Sequence, residues 1–397
     1  MMHMKTGPSI AFGLFFLLLE VLAVSAQSPE PGRSPVPWPS SAPAAEGLQP
    51  ESIDGLLGWM RSSGMRFHAV ILLRNDRLVT EEYFPPWQRD SPQNMYSCAK
   101  SVLSTLYGIA QAEGKLPPLG SSALALLPGR GSGAMDPRAS RINLEQLLTM
   151  TSGVAFMRAV DMAVANDQVA FALAKPLAEE PGSKFIYTSA GPHLLSAILQ
   201  ACVNQSARDY AAQKLFAPLG IRDWSWEIDG AGVTIGGAHL SLTAMDCARV
   251  GYLYLKKGDW FGTRVLPASW VQAATRTHSR PSGMNRAEDS GYGYLWWVDE
   301  AWDGFSAHGA GGQYIFVVPP LDLVAVFTGD LPARDFPVPW DLMRRYVLPA
   351  AGLKEQAQVQ KLLRPAAANL RARSAEPKVG RLSAPAPRPH TPPVTAP

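Results

Sequence analysis

The stretch "NMYSCAKSV", Asn94 to Val102, sets a serine and a lysine three positions apart, Ser97 and Lys100, just as a helical apolar pattern begins. Residues i and i+3 share a helix face, so the ammonium can reach the hydroxyl. In that arrangement the serine is a nucleophile and the lysine its base, provided burial or nearby positive charge lowers the lysine pKa from about 10.4 to about 7–8. A helix N-terminus also favours negative charge developing near its free N–H groups. Two plainer readings compete on spacing alone. Serine is a preferred N-cap whose oxygen accepts a backbone N–H, and Lys100 suits a solvated surface position equally well.

The helix that must carry this pair is written in Ala99, Val102, Leu103, Leu106, Ile109 and Ala110, which recur at helical spacing until Gly114 and Pro117 stop the run. Asn143 with Gln146, and Thr243 with Asp246, predict capped starts of two further helices. Before these helices, "HAVILLR" and "RLVTEEYF" flank Asn75-Asp76 and predict a hairpin. After them come "GYLWWVDE", "QYIFVVP" and "LDLVAVFT", the last two separated by Pro319 and Pro320. Strands first, helices next and strands last predict one antiparallel sheet closed by both ends of the domain rather than a wound parallel sheet. "GYGYLWWV", Gly291 to Val298, reads either as a packed strand or as the lining of an apolar pocket.

Downstream of Lys100 stand "LEQLLTMTSGV" (Leu144 to Val154), "PGSKFIYTSAG" (Pro181 to Gly191) and "SAHGAGGQYIFVVP" (Ser306 to Pro319), in that order. With these motifs the chain resembles the serine β-lactamase and penicillin-binding protein superfamily, in its esterase-like and 6-aminohexanoate-dimer-hydrolase-like branch, over roughly residues 51 to 350. The resemblance implies an α+β, β-lactamase/transpeptidase-like fold: an antiparallel five-stranded sheet flanked by helices, with a mainly helical inserted subdomain. It also implies Ser97 as the acylated nucleophile, Lys100 as its base and Tyr187 as a proton shuttle beside them. Without it, Tyr187 reads as a strand-end aromatic packed on the core. Ser189 takes the place of the asparagine in the family's Tyr-x-Asn motif, a substrate-binding position that here keeps a short polar group and loses the amide.

Aligned on its glycines, the third motif puts Ala307, His308, Gly309 and Ala310 over the family's Lys-Thr-Gly and the residue after it. The lysine is missing. His308 either replaces part of its electrostatic role or packs along the cleft, and Gly309 lets substrate approach the strand backbone. The resemblance implies an oxyanion hole of the backbone N–H groups of Ser97 and Ala310. Losing the lysine removes the usual anchor for a penicillin or stem-peptide carboxylate, so the expectation is a small ester or amide cleaved through an acyl-enzyme. A penicillin-interactive D-alanyl-D-alanine peptidase or β-lactamase is the alternative. A non-catalytic binding protein keeping the fold is the alternative from another class.

Length and composition bound these readings. The chain has 397 residues, 47% of them hydrophobic, enough for a substantial core in one large domain or two small ones. Lys5, the apolar run "IAFGLFFLLLEVLAV" and "VSA" predict a signal peptide over 1–26, cleaved after Ala26, and hence a periplasmic or secreted protein with no membrane span after cleavage. Glu20 interrupts that run, which falls short of the roughly 20 apolar residues that span a bilayer. Residues 27–50 are rich in Pro, Ser and Ala and read as a linker, the domain is expected over 51–355, and 356–397 read as a disordered basic Pro/Ala-rich tail.

The net charge of +3 arises in that tail, where Lys361, Arg364, Arg371, Arg373, Lys378, Arg381 and Arg388 outweigh Glu376, leaving the domain slightly acidic. Nucleic acid is therefore not an expected partner; a small-molecule ester or amide is. Cys98, Cys202 and Cys247 are too few for a disulfide framework and lack zinc-site spacing. There is no H-E-x-x-H and no G-x-S-x-G, so no metal, no cofactor and no α/β-hydrolase elbow is expected. His68, His193, His239 and His278 are scattered and read as structural or solvated.

Overall fold

The computed structural model describes residues 37–127, 129, 135–281 and 290–353. The expected signal peptide and basic tail lie outside these residues, as do residues 27–36 of the expected linker. The scaffold is a sheet of seven antiparallel strands: β1 (Phe67–Arg74), β2 (Arg77–Tyr83), β3 (Ser290–Tyr292), β4 (Trp297–Asp299), β5 (Gly304–Gly309), β6 (Gln313–Val318) and β7 (Leu323–Gly329). Their order is β2-β1-β7-β6-β5-β4-β3, so the first hairpin docks on the last strand and the two ends of the domain close one sheet. Asn75 and Asp76 both take left-handed φ values, 51° and 61°, as a two-residue hairpin matched to strand twist demands.

The five strands expected from the sequence are seven. "GYLWWVDE" is not one strand but the turn and second arm of a hairpin, because Leu295 adopts φ 61° and the Gly293 N–H bonds the Trp296 carbonyl at 2.8 Å. "GYGYLWWV" is therefore folded back on itself, with Tyr292 and Trp296 buried. The other added strand, β5, is the first part of the glycine-rich motif, whose backbone pairs with both β4 and β6.

The linker boundary also moves. Trp38 and Leu48 are buried, Trp38 packs edge-on against Tyr252 and Trp260, and the Leu78 N–H bonds the Pro39 carbonyl. Prolines are tolerated here because the segment runs along the sheet edge beside β2.

Strands buried on both faces sort their side chains by alternation. On one face, Ile71, Ile315, Val317, Val324 and Val326 meet helix α4 (Ala244–Leu255) and, beyond it, α2 (Ala99–Ala112) and α3 (Ala190–Val203). On the other, Val70, Leu72, Phe316, Val318, Ala325 and Phe327 meet α1 (Pro50–Ser62) and the C-terminal helical segment that begins with α5 (Val338–Leu342). A register shift between Phe67 and Ala69 lets Phe67 join the second face together with Val70. Gly251 on α4 has no room for a Cβ against Ile315 and Val324, so α4 lies close on the sheet and the first layer is tight. Both predicted capping boxes form, at Asn143 with Gln146 and at Thr243 with Asp246.

Candidate active site

Ser97 sits in a 3-10 turn, Tyr96–Cys98, that runs directly into α2. The turn starts with Tyr96 at φ 46°, a conformation non-glycine residues rarely take, held by the Tyr96 N–H donating to Asn94 Oδ1. Neither the turn nor α2 has a side-chain N-cap, so the serine does not act as the cap that spacing alone allowed. Its half-buried hydroxyl instead accepts from Lys100 Nζ at 2.9 Å.

Lys100 is 1% exposed, which removes the solvated reading. Its ammonium donates to Ser97 Oγ, to Ser189 Oγ at 3.3 Å and to the Gly237 carbonyl at 2.8 Å, all neutral acceptors. Burial without a paired carboxylate penalises the charged form and brings the pKa down to about 7. Lys100 Nζ also stands 5.1 Å from the centre of the Tyr187 ring. The Tyr187 hydroxyl bonds Ser97, and desolvation, only partly offset by that bond, pushes its pKa up, so the phenol keeps its proton. Ser97, Lys100, Tyr187 and Ser189 are thus brought together from two segments 90 residues apart in sequence.

The glycine-rich strand end arrives from the sheet. A Cβ on Gly309 would overlap the Met95 carbonyl oxygen, two residues before Ser97. The glycine therefore also serves the chain's close approach to itself. After it, Ala310–Gly312 turn with Gly311 at φ 77° and Gly312 at φ 84°. Ala310, half-buried, is the residue at which β5 ends beside the serine turn.

His308 is placed differently from Ala307. Ala307 faces the layer that contains α2, whereas His308 lies against Tyr314 at 4.5 Å and stacks on Trp297 at 5.1 Å. Its Nε2 lies 2.8 Å from the Ser306 hydroxyl, whose proton goes to Asp299 Oδ2 at 2.9 Å. A hydroxyl that has spent its one proton must accept the next bond, so Nε2 carries a proton. Trp297 in turn lies 5.6 Å from Tyr187. The histidine thus belongs to an aromatic stack that backs the tyrosine.

Two contributors escaped the sequence reading. The Gly237 carbonyl is a backbone group with no side-chain signature, and it is pressed onto α3 because a Cβ at Gly237 would crowd Ser189 and one at Gly236 would overlap the Pro192 carbonyl. The same loop is pinned by Asp229, whose carboxylate accepts from His193 Nε2 at 3.0 Å and from the N–H groups of Gln168, Ala231 and Val233. Burial opposes ionisation of Asp229, but the bonds from His193 and the backbone win and hold its carboxyl below the usual range. The only sequence signal was the Asp-Gly-x-Gly and Gly-Gly composition of residues 229–237, which marks a tight loop and not its partner.

Among the described residues no cluster of three or more His, Cys, Asp or Glu side chains is arranged to hold a metal, and no helix is long and apolar enough to cross a membrane.

A sheet closed by both ends of the domain, and a buried lysine against a serine at the start of the helix behind it, define a class that the comparisons name. The beta-lactamase family model matches residues 60–348, and the chain belongs to that family of serine hydrolases. A 6-aminohexanoate-dimer hydrolase of Paenarthrobacter ureafaciens is 24% identical over 288 residues, covering 67% of this chain and 73% of that protein. Among solved structures, an octameric penicillin-binding protein homologue from Pyrococcus abyssi superposes with TM-score 0.63 at 15% identity, covering 76% of this chain and 77% of that one. A family VIII carboxylesterase does so with TM-score 0.62 at 14% identity, covering 78% and 98%.

Proposed function

We propose that this hydrolase cleaves a small ester or amide through an acyl-enzyme on Ser97, with Lys100 as general base and Tyr187 as proton relay. The observation that carries the reading is a lysine buried without a carboxylate partner, 2.9 Å from a half-buried serine hydroxyl; that burial brings its pKa down to about 7. At neutral pH a large share of Lys100 is the free amine and takes the Ser97 proton as Oγ attacks the substrate carbonyl. The backbone N–H groups of Ser97 and Ala310 receive the oxyanion, an interaction of the kind worth about 2.7–4 kcal/mol per donor. The proton passes by way of the Tyr187 hydroxyl to the leaving group, and water then attacks the acyl-enzyme with Lys100 again as base.

Ser189 in place of an asparagine, and Ala307 in place of a lysine, support a substrate without the carboxylate of a penicillin. The test is hydrolysis of p-nitrophenyl acetate with intact-mass detection of a fluorophosphonate adduct. Wild type is expected to react and to carry the label on Ser97, and Ser97→Ala to lose both. A folded Ser97→Ala variant that retained hydrolysis would end the reading, and stoichiometric labelling by a fluorescent penicillin would redirect it to β-lactams.

The reading includes export, on the support of the apolar run Ile10 to Val24 and the small residues before Gln27. N-terminal sequencing of the protein recovered outside the cytoplasm is expected to begin at Gln27.

A further inference from the structure

Six large apolar side chains stand exposed among the described residues, and five of them lie on three segments that touch the catalytic group: Tyr96, Phe156, Val160, Val164 and Ile228. Single exposed apolar residues are ordinary on a protein surface, but a concentration of them around one site is not.

Each segment is tied to the chemistry. Tyr96 immediately precedes Ser97 and is held at φ 46° with its side chain 39% exposed. Phe156 is flanked by bonds to the "YTS" motif: the Thr188 hydroxyl donates to the Ala155 carbonyl, and the Ser189 N–H donates to the Met157 carbonyl at 2.7 Å. Ile228 precedes Asp229, the anchor of the loop whose Gly237 carbonyl holds Lys100. The second and third segments are also joined to each other, since the Gln168 N–H donates to Asp229 and Asn166 packs on Gly230.

Phe156, Val160 and Val164 stand exposed before, within and just after the short helix Ala159–Met162, while Met157 and Met162 are buried. Arg158 and Asp161 pair with each other, so the charges of this segment are already used. What remains facing solvent is three apolar side chains, 61% to 82% exposed, the first of them next to the residue bonded to Ser189.

We propose that these side chains bind the acyl portion of the substrate, and that this portion is an apolar, medium-length aliphatic chain. The proposal rests on the Ser97 reading. Tyr96 adjoins the nucleophile in sequence and Phe156 adjoins the residue bonded to Ser189, so an acyl chain leaving Ser97 over these segments would remove apolar surface of both partners from water. Each covered methylene is worth about fourfold in kcat/KM.

The experiment is a p-nitrophenyl ester series from acetate through butyrate and hexanoate to octanoate, where the leaving group is constant. For wild type, kcat/KM is expected to rise along the series. Phe156→Ser and Ile228→Ser are each expected to lower the octanoate-to-acetate ratio by about tenfold, the worth of roughly two methylenes, with Tm within a few degrees of wild type. A wild-type profile that is flat or falls with length overturns the proposal. So does an unchanged ratio in both variants, and an unchanged ratio accompanied by a shift in oligomeric state on sedimentation assigns these side chains to contact between copies of the chain. If no ester is hydrolysed in a Ser97-dependent way, it is the acyl-enzyme reading that has failed.

Discussion

The lysine side of the site and the glycine-rich strand end solve different problems. Around Lys100 the work is done by side chains: a buried ammonium, two hydroxyls and a phenol, with one carbonyl as the fixed point. At the strand end it is done by backbone, and side chains matter by being absent, as at Gly309 against Met95. On the proposed mechanism the lysine side depends on chemical identity and is expected to tolerate no loss of a functional atom. The strand side depends on fit, so one added methyl group is expected to disturb it at Gly309, where a Cβ would overlap the Met95 carbonyl oxygen, while on the proposed mechanism the identity of the Ala310 side chain matters little.

The largest effect expected from this contrast is at Lys100. Lys100→Met preserves much of the volume and removes the proposed base, and is expected to cut kcat/KM for the acetate ester by about a thousandfold or more. In the wild type kcat/KM is expected to fall through a midpoint near pH 7 as the buried amine takes up a proton, by about tenfold per pH unit below it. A midpoint unmoved from the ordinary lysine range would contradict the burial argument.

Gly309→Ala comes next. The new Cβ meets a backbone oxygen that has no rotamer to escape into, so β5 or the turn before Ser97 must shift. Activity is expected to drop by about 10- to 100-fold with about 1–3 kcal/mol of stability lost, measured by denaturant unfolding beside steady-state kinetics.

The same lysine predicts a stability effect with a definite sign. The folded state holds Lys100 at about 7 and the unfolded chain at about 10.4, so between those values the unfolded state binds more protons and stability rises with pH. The denaturation midpoint of the wild type, taken relative to Lys100→Met, is therefore expected to climb from pH 7 to pH 9. An invariant difference across that range would mean the folded lysine is not desolvated. The smallest effect is Ala310→Ser, expected within a few-fold of wild type because only the backbone N–H of residue 310 is invoked; a large loss would make the strand side chemical after all.

How much of this was legible beforehand differs in the same way. That Ser97, Lys100 and Tyr187 come together was readable, the first two from their spacing on one helix face and Tyr187 only through the family resemblance, which linked segments that the chain separates. The hairpin at Asn75-Asp76 and the capping boxes were equally readable, since each is decided within four residues. The count of strands was not. A turn at a left-handed Leu295 has no composition signal, and "GYLWWVDE" shows the same apolar run whether straight or folded back. The packed stretch Pro37 to Gln49 was hidden under its prolines, because burial of Trp38 depends on Tyr252 and Trp260, some two hundred residues away.

By itself, then, the sequence determined which hydroxyl, amine and phenol groups are available for the proposed chemistry and in what order their carriers come along the chain. Tertiary structure alone decided that Lys100 is dry, that Gly237 and not a carboxylate faces it, that His308 backs Tyr187 through Trp297, and that Gly309 is spent on Met95. The physical reason is that desolvation and close approach are properties of what surrounds an atom, and here the surroundings come from segments remote in sequence.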